Sequence, residues 1–192
     1  MSALSGRARV AADAAARGLD VDIIERMRAS SLEEAASLLG ITPGDIVKSL
    51  VVKRSDGTYL FALVPGDRQL SWRKLRALVR GNKLQLPSPE AALDATGYER
   101  GTITPLGSTT PWPVYADAGL AGRRVSMGAG EHGYSLFVQA DELLAALSAV
   151  VAAKLMTSWL PGIGQAGAWT TGMLVAASVA LIGWIGLNLL PD

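Results

Sequence analysis

The sequence predicts an α+β domain in which helices surround a mixed, twisted sheet, followed by an apolar C-terminal helix. Three observations support this fold class. Two apolar runs, 46–54 and 58–64, are joined by Ser-Asp-Gly, which is typical of a β-hairpin. Helix and strand patterns then alternate as far as residue 150 without an internal repeat, as in a mixed domain. After Lys154 no charged residue occurs until Asp192.

Composition excludes several classes of function. The chain has 192 residues, and the apolar fraction of 49% is ample for a packed core. Because it has no cysteine and one histidine, disulfides, thiolate metal sites and histidine-rich metal clusters are excluded. The net charge is only +1, so any contact with nucleic acid must use a local basic patch.

Capping signals position the helices. Ser31 with Glu34 forms a capping-box pattern, and Pro89 after Ser88 suits the first helical position. Ser71 is a further N-cap residue. The predicted helices cover 4–18, 31–40, 71–79 and 88–97, and a last helix begins at the acids 141–142.

Strand signals come from runs rich in β-branched and aromatic residues that are bounded by turn residues. The segment 101–113, rich in glycine, proline and threonine, is predicted to be a loop. The glycine-rich stretch 128–133 connects the last two strands, and it lacks the Gly-Lys-Ser/Thr ending of a P-loop. The predicted strands cover 21–24, 46–54, 58–64, 114–116, 123–127 and 134–138.

Lys48 is the residue that most clearly suggests a site. Alternate residues of a strand share a face, and Lys48 interrupts an apolar face of the strand 46–54. The other face carries Val47, Ser49 and Val51, so both faces have the pattern of a buried central strand. A buried ammonium must be paired, partly solvated or lowered in pKa. The alternative is a lysine near a strand end whose ammonium extends into water.

Two further features are candidates for function. A basic cluster in and around the helix 71–79 suits phosphate binding, although a solvated amphipathic face also explains it. His132, in the glycine-rich stretch, is either a general base or an exposed loop residue. The basic cluster comprises Arg68, Arg73, Lys74, Arg76, Arg80 and Lys83.

The C-terminal segment 172–190 has the length of a transmembrane helix. As a helix its 19 residues would extend about 28 Å, close to the thickness of a bilayer core. A linker, 151–171, would separate it from the domain, and the positive-inside tendency would keep the domain cytoplasmic. The alternatives are a buried or partner-facing helix, or an oligomerisation helix in a soluble protein.

Three segments in unbroken order carry a family resemblance. The first is Leu-Glu-Glu-Ala-Ala at 32–36 followed by Ile-Val-Lys-Ser-Leu-Val at 46–51. The second is Phe-Ala-Leu-Val-Pro-Gly-Asp at 61–67, and the third runs from Thr-Gly-Tyr at 96–98 into Gly-Thr-Ile-Thr-Pro-Leu-Gly at 101–107. Together they resemble the YbaK/ProX-type aminoacyl-tRNA deacylases, which also occur as the editing domain associated with prolyl-tRNA synthetases.

The resemblance implies a mixed α/β fold around a pocket and hydrolysis of the ester that links a wrong amino acid to tRNA. It implies that Lys48 is required, that the loop 101–105 lines the pocket, and that no metal or other cofactor takes part. It also implies that the substrate's ribose hydroxyl helps to activate water. Ser135 replaces an acid of shorter members, a departure that concerns amino-acid specificity. The expected substrate-binding residues are Ser49, Gly101, Thr102, Pro105, Gly107, Ser126 and Gly128.

The sequence is consistent with two functions. The first is a trans-editing deacylase that acts on mischarged tRNA through a domain covering 1–150. The second is a non-catalytic module that binds tRNA or an aminoacyl nucleotide at a membrane. In either case the residues expected to meet the tRNA backbone are Arg73, Lys74, Arg76 and Arg80.

Overall fold

The computed structural model describes residues 4–152, which form five α-helices and eight strands. The helices are α1 (Gly6–Ala16), α2 (Leu32–Leu39), α3 (Trp72–Val79), α4 (Pro89–Thr96) and α5 (Ala140–Ala146). The strands are β1 (Asp22–Glu25), β2 (Val47–Arg54), β3 (Tyr59–Pro65), β4 (Leu84–Gln85), β5 (Val114–Asp117), β6 (Arg124–Gly128), β7 (Tyr134–Gln139) and β8 (Val150–Ala152).

The strands form two sheets. One is a three-stranded antiparallel sheet in the order β1-β7-β6, and the other is a five-stranded mixed sheet in the order β4-β2-β3-β5-β8. A parallel bridge between Ile46 and Ser126 links the two. The prediction of a mixed α/β domain is therefore confirmed, but the strands form two sheets instead of one. The reason is that β7 pairs only with β1 and β6 among the described strands, and only the isolated bridge at Ile46 joins them to the larger sheet.

Strand β2 lies inside the larger sheet and has a hydrophobic core on each face. Val47 and Val51 pack in the larger core together with Phe61. Val52 packs in the smaller core with Leu75 of α3. The apolar residues on both faces of the strand 46–54 predict that both faces are buried, and this prediction is confirmed.

The ends of the helices agree with the capping signals, except that the Glu34 carboxylate accepts from the Ser30 N–H and not from the Ser31 N–H that a capping box requires. The hydroxyls of Ser31, Ser71 and Ser88 accept hydrogen bonds from backbone N–H groups in the first turns of α2, α3 and α4. At the opposite ends of α2 and α4, Gly40 and Gly97 adopt φ of 66° and 73°. Glycine is the residue that takes this left-handed conformation without strain.

Helix α1 packs against two loops, 97–107 and 128–133. The Arg9 Nη2 donates a hydrogen bond to the Gly97 carbonyl at 2.6 Å, and Asp13 Oδ2 accepts one from the Gly107 N–H at 2.8 Å. A Cβ on Gly6 would overlap the carbonyl of Gly130, so the backbones of helix and loop are in direct contact. Helix α1 therefore fixes both loops.

Two short strands differ from the prediction, and the C-terminal part of the chain lies outside the described residues. The short strands β4 and β8 were not predicted, because two or three residues are too few to show a period. The predicted linker 151–171, apart from its first two residues, and the predicted apolar helix 172–190 lie outside the described residues. Within residues 4–152, no helix has the length and apolar character needed to cross a bilayer.

Candidate active site

A cavity of about 670 Å³ lies where the two sheets meet. Its wall is formed by parts of α2, β2, β6 and β7, the start of α4, and the loop around residue 101. Five of the residues predicted from the sequence are in this wall: Lys48, Ser49, Gly101, Ser126 and Gly128. The structure thus brings together residues from three segments that are distant in sequence.

Lys48 is half-buried in β2, opposite Val64 of β3. Its Nζ donates a hydrogen bond to the carbonyl oxygen of Arg68. Burial lowers the pKa of the Lys48 ammonium, and the nearby carboxylates of Asp67 and Glu33 oppose that shift. Of the alternatives raised by the sequence, the structure has a hydrogen-bonded lysine in a cavity wall rather than one extended into bulk water.

Among the described strands, the part of β2 between the bridge at Ile46 and the pairing with β4 at Lys53 has a free edge. At one end of the β2–β3 ladder the Arg54 N–H donates to the Thr58 carbonyl, and at the other end the Ile46 carbonyl accepts from the Gly66 N–H. Both are even-numbered residues of this segment, so its even-numbered residues direct their backbone groups toward β3. Pairing alternates along an antiparallel ladder, and Ser49 therefore directs its N–H and C=O to the free edge. Its Oγ is buried and has no hydrogen-bond partner among residues 4–152. A ligand in the cavity would supply the missing partners.

Glycines allow the loop at residue 101 to approach β6. Gly101 has a φ of 94°, a conformation that residues with side chains rarely adopt. A Cβ on Gly128 would lie 2.5 Å from the carbonyl oxygen of Thr102, so the two backbones leave no space for a side chain. Ser126, two residues earlier in β6, is buried in the same wall.

The other three predicted loop residues, Thr102, Pro105 and Gly107, are not in the cavity wall. Thr102 is buried, and its Oγ1 donates to the Glu99 carbonyl at 2.9 Å. Pro105 is also buried, and the Gly107 N–H is bonded to Asp13 of α1. In this structure these residues determine the shape of the loop that presents Gly101.

Sequence reasoning missed two cationic residues of the wall, Arg26 and Arg100. The Arg26 Nε donates to Ser135 Oγ at 2.8 Å, a contact across 109 positions that no local pattern signals. With Lys48 the wall carries three basic side chains and, as far as the described residues go, no Asp, Glu or His. Residues 4–152 also contain no cluster of three or more His, Cys, Asp or Glu suited to a metal ion.

The remaining sequence candidates lie outside the wall. His132 Nε2 is 3.0 Å from Glu99 Oε2 on the exposed surface, so His132 is not positioned as a base within the cavity. On α3 and its C-cap, Arg73 and Arg80 are exposed, whereas Lys74 and Arg76 are half-buried. None of these four residues lines the cavity.

The fold and the cavity together define a mixed α/β domain with a cavity lined by basic side chains. The chain belongs to the aminoacyl-tRNA editing domain family, whose model matches residues 27–146. The family resemblance carried by the three sequence segments is thereby confirmed.

Relatives and a solved structure agree with this family. The proline–tRNA ligase of Thermosipho melanesiensis is 35% identical over 99 residues, which are 52% of this chain and 17% of the ligase. That of Thermosipho africanus is 40% identical over 90 residues, 47% of this chain and 16% of the ligase. The chain thus spans less than a fifth of the length of these relatives. A structure described as a candidate trans-editing enzyme for prolyl tRNA synthetase is 31% identical with a TM-score of 0.71, covering 82% of this chain and 99% of that one.

Proposed function

We propose that this chain hydrolyses the ester bond between a wrong amino acid and its tRNA, acting as a trans-editing deacylase. The observation that carries the proposal is the presence of Lys48, Gly101 and Ser126 in one cavity wall. The chain's membership of the editing-domain family supports the same reaction class.

The proposed role of Lys48 is to stabilise negative charge at the reacting ester. Water adds to the ester carbonyl, whose oxygen gains negative charge, and the bond to the ribose oxygen then breaks. The products are the free amino acid and a tRNA with its hydroxyl restored. An ammonium held by the Arg68 carbonyl offers charge and further N–H donors to that oxygen or to a neighbouring phosphate.

The attacking water needs a proton acceptor, and the cavity wall offers no carboxylate or imidazole among the residues that the structure describes. We therefore propose that the substrate's own ribose hydroxyl beside the ester helps to activate the water, as the family resemblance implies. This hydroxyl accepts the water's proton while it passes its own proton to the departing ribose oxygen. Ser49 Oγ, which is buried and has no partner in the part of the chain that the structure describes, is positioned in the same wall to bind the ribose or the aminoacyl group.

A panel of mischarged tRNAs tests this proposal. We choose tRNA for proline because the relatives are proline–tRNA ligases, and we load it with alanine, cysteine or serine. The full chain should release at least one of these amino acids faster than spontaneous hydrolysis, while prolyl-tRNA remains intact. Release at the background rate for all three esters would refute the deacylase proposal for these substrates.

A non-catalytic binding module is the second candidate. The lack of an acid or base among the described residues of the wall favours it. This candidate predicts that the full chain binds mischarged tRNA without releasing the amino acid. The same panel, followed by a binding measurement, therefore separates the two functions.

We further propose that the basic residues of α3 and its C-cap contact the tRNA backbone. The double replacement of the exposed Arg73 and Arg80 by glutamine should raise KM for mischarged tRNA and reduce its salt dependence. Loss of two phosphate contacts should lower the slope of log KM against log salt by about 1.5. Turnover of aminoacyl-adenosine, which lacks that backbone, should not change, and an unchanged slope on tRNA would show that α3 is only a solvated surface.

The organisation of the chain is a further proposal: an editing domain at 1–150, a linker at 151–171 and a membrane-spanning helix at 172–190. It is supported by the uncharged stretch after Lys154. The domain would then act on the cytoplasmic side of the membrane. Recovery of the full chain in the membrane fraction after an alkaline wash is the expected result, whereas recovery in solution without detergent would favour an oligomerisation helix.

A further inference from the structure

We infer that Arg26 binds a phosphate group of the terminal nucleotide of the substrate, an inference that rests on the proposed function. Arg26 follows directly after β1 and forms part of the cavity wall. It was not among the residues that the sequence suggested, and it precedes the segment matched by the family model, which begins at residue 27.

The Arg26 side chain is held in position by neutral groups. Its backbone N–H donates to the Gly133 carbonyl at 2.8 Å, which continues the pairing of β1 with β7. Its Nε donates to Ser135 Oγ at 2.8 Å, and its Nη1 donates to the Met27 carbonyl at 3.0 Å. Ser135 is itself buried, so the contact orients the guanidinium from a rigid strand.

The positive charge of Arg26 is not neutralised by a neighbouring carboxylate. In the part of the chain that the structure describes, Arg26 forms no ion pair, and its Nη2 has no hydrogen-bond partner. The rest of the wall adds Lys48 and Arg100. A site with this charge and unused guanidinium N–H groups suits an anionic ligand.

The chemistry of an aminoacyl-tRNA end identifies the anion. The carboxyl group of the amino acid is esterified and carries no charge, so the negatively charged groups closest to the ester are the phosphates of the terminal nucleotides. A guanidinium presents N–H groups in a planar arrangement that matches phosphate oxygens. Because Lys48 has the proposed role at the ester oxygen, and because the Arg26 Nη2 has no hydrogen-bond partner among the described residues, we assign the phosphate to Arg26.

Two hydrolysis-resistant probes test the inference: 3′-alanylamino-3′-deoxyadenosine and its 5′-monophosphate. Calorimetry with the full chain should show that the phosphorylated probe binds about tenfold more tightly, the value of one charge-assisted hydrogen-bonded contact. Arg26→Gln should bind both probes with equal affinity. Arg26→Lys, which keeps the charge but loses the planar N–H arrangement, should retain part of the preference.

Arg28→Gln is the matched control. Arg28 is exposed on the same loop and is not in the cavity wall, so this variant should keep the full preference for the phosphorylated probe. The inference is overturned if the preference survives in Arg26→Gln, if that variant weakens both probes equally, or if the parent shows no preference. Thermal melting of each variant checks the fold. Because the probes are not hydrolysed, the ratio of the two affinities tests the inference even if the chain hydrolyses no mischarged tRNA.

Discussion

Lys48→Met should remove deacylase activity while leaving the fold intact. Methionine keeps the length of the aliphatic chain but removes the charge that faces the cavity. The loss of one preorganised charged donor typically lowers kcat about 100-fold or more. We expect the free energy of unfolding to change by less than about 1 kcal/mol, because relief of the buried charge offsets the lost bond to Arg68.

Lys53→Met is the control for this experiment, since Lys53 is in the same strand and outside the cavity wall. Its ammonium lies 5.9 Å from the centre of the Tyr59 ring. This variant should keep its activity within about twofold of the parent, as expected for a surface substitution. Single-turnover deacylation and urea unfolding measure both variants. If the Lys48→Met variant deacylates at the parental rate, Lys48 has no catalytic role. If the variant unfolds at a much lower urea concentration than the parent, the role of Lys48 is structural.

The parts of the fold that depend on local chemistry could be predicted from the sequence. The turn between β2 and β3 follows from Ser-Asp-Gly, and the starts of α2 and α4 follow from Ser31 and Ser88. These signals act within three or four residues, so the sequence contains them in full. The burial of both faces of β2 follows in the same way from its nearly continuous apolar run.

The sequence could not reveal how distant segments meet. The link between the two sheets depends on the bridge from Ile46 to Ser126, and the charge of the wall depends on Arg26 at Ser135. The first contact joins residues 80 positions apart and the second joins residues 109 positions apart, and neither leaves a periodic pattern. The same limit applies to the loop 101–107, where the structure shows Gly107 bonded to α1 rather than lining the cavity.

The backbone at Thr102 lies so close to β6 that one added methyl group at Gly128 should have a large effect. Gly128→Ala should destabilise the protein by about 3 kcal/mol and should also remove activity. The new Cβ would lie 2.5 Å from the Thr102 oxygen and 2.6 Å from the Thr102 carbonyl carbon. These are backbone atoms, which cannot rotate away as a side chain would, and overpacking of this kind costs about 1–3 kcal/mol or more.

The neighbours of Gly128 limit how the structure can relax. Gly128 pairs with Ser135 of β7, and the Thr102 carbonyl accepts the Gly130 N–H at 2.9 Å, so both sides of the contact are fixed. Gly18→Ala is the control, because Gly18 has a φ of 67° and open space around it. Gly18→Ala should lower the free energy of unfolding by only about 1 kcal/mol, because alanine is strained in the left-handed backbone conformation but meets no neighbouring atom. Urea unfolding and deacylation together test the prediction: a Gly128→Ala variant as stable as the Gly18→Ala control, with parental turnover, would show that the loop can move without loss of function.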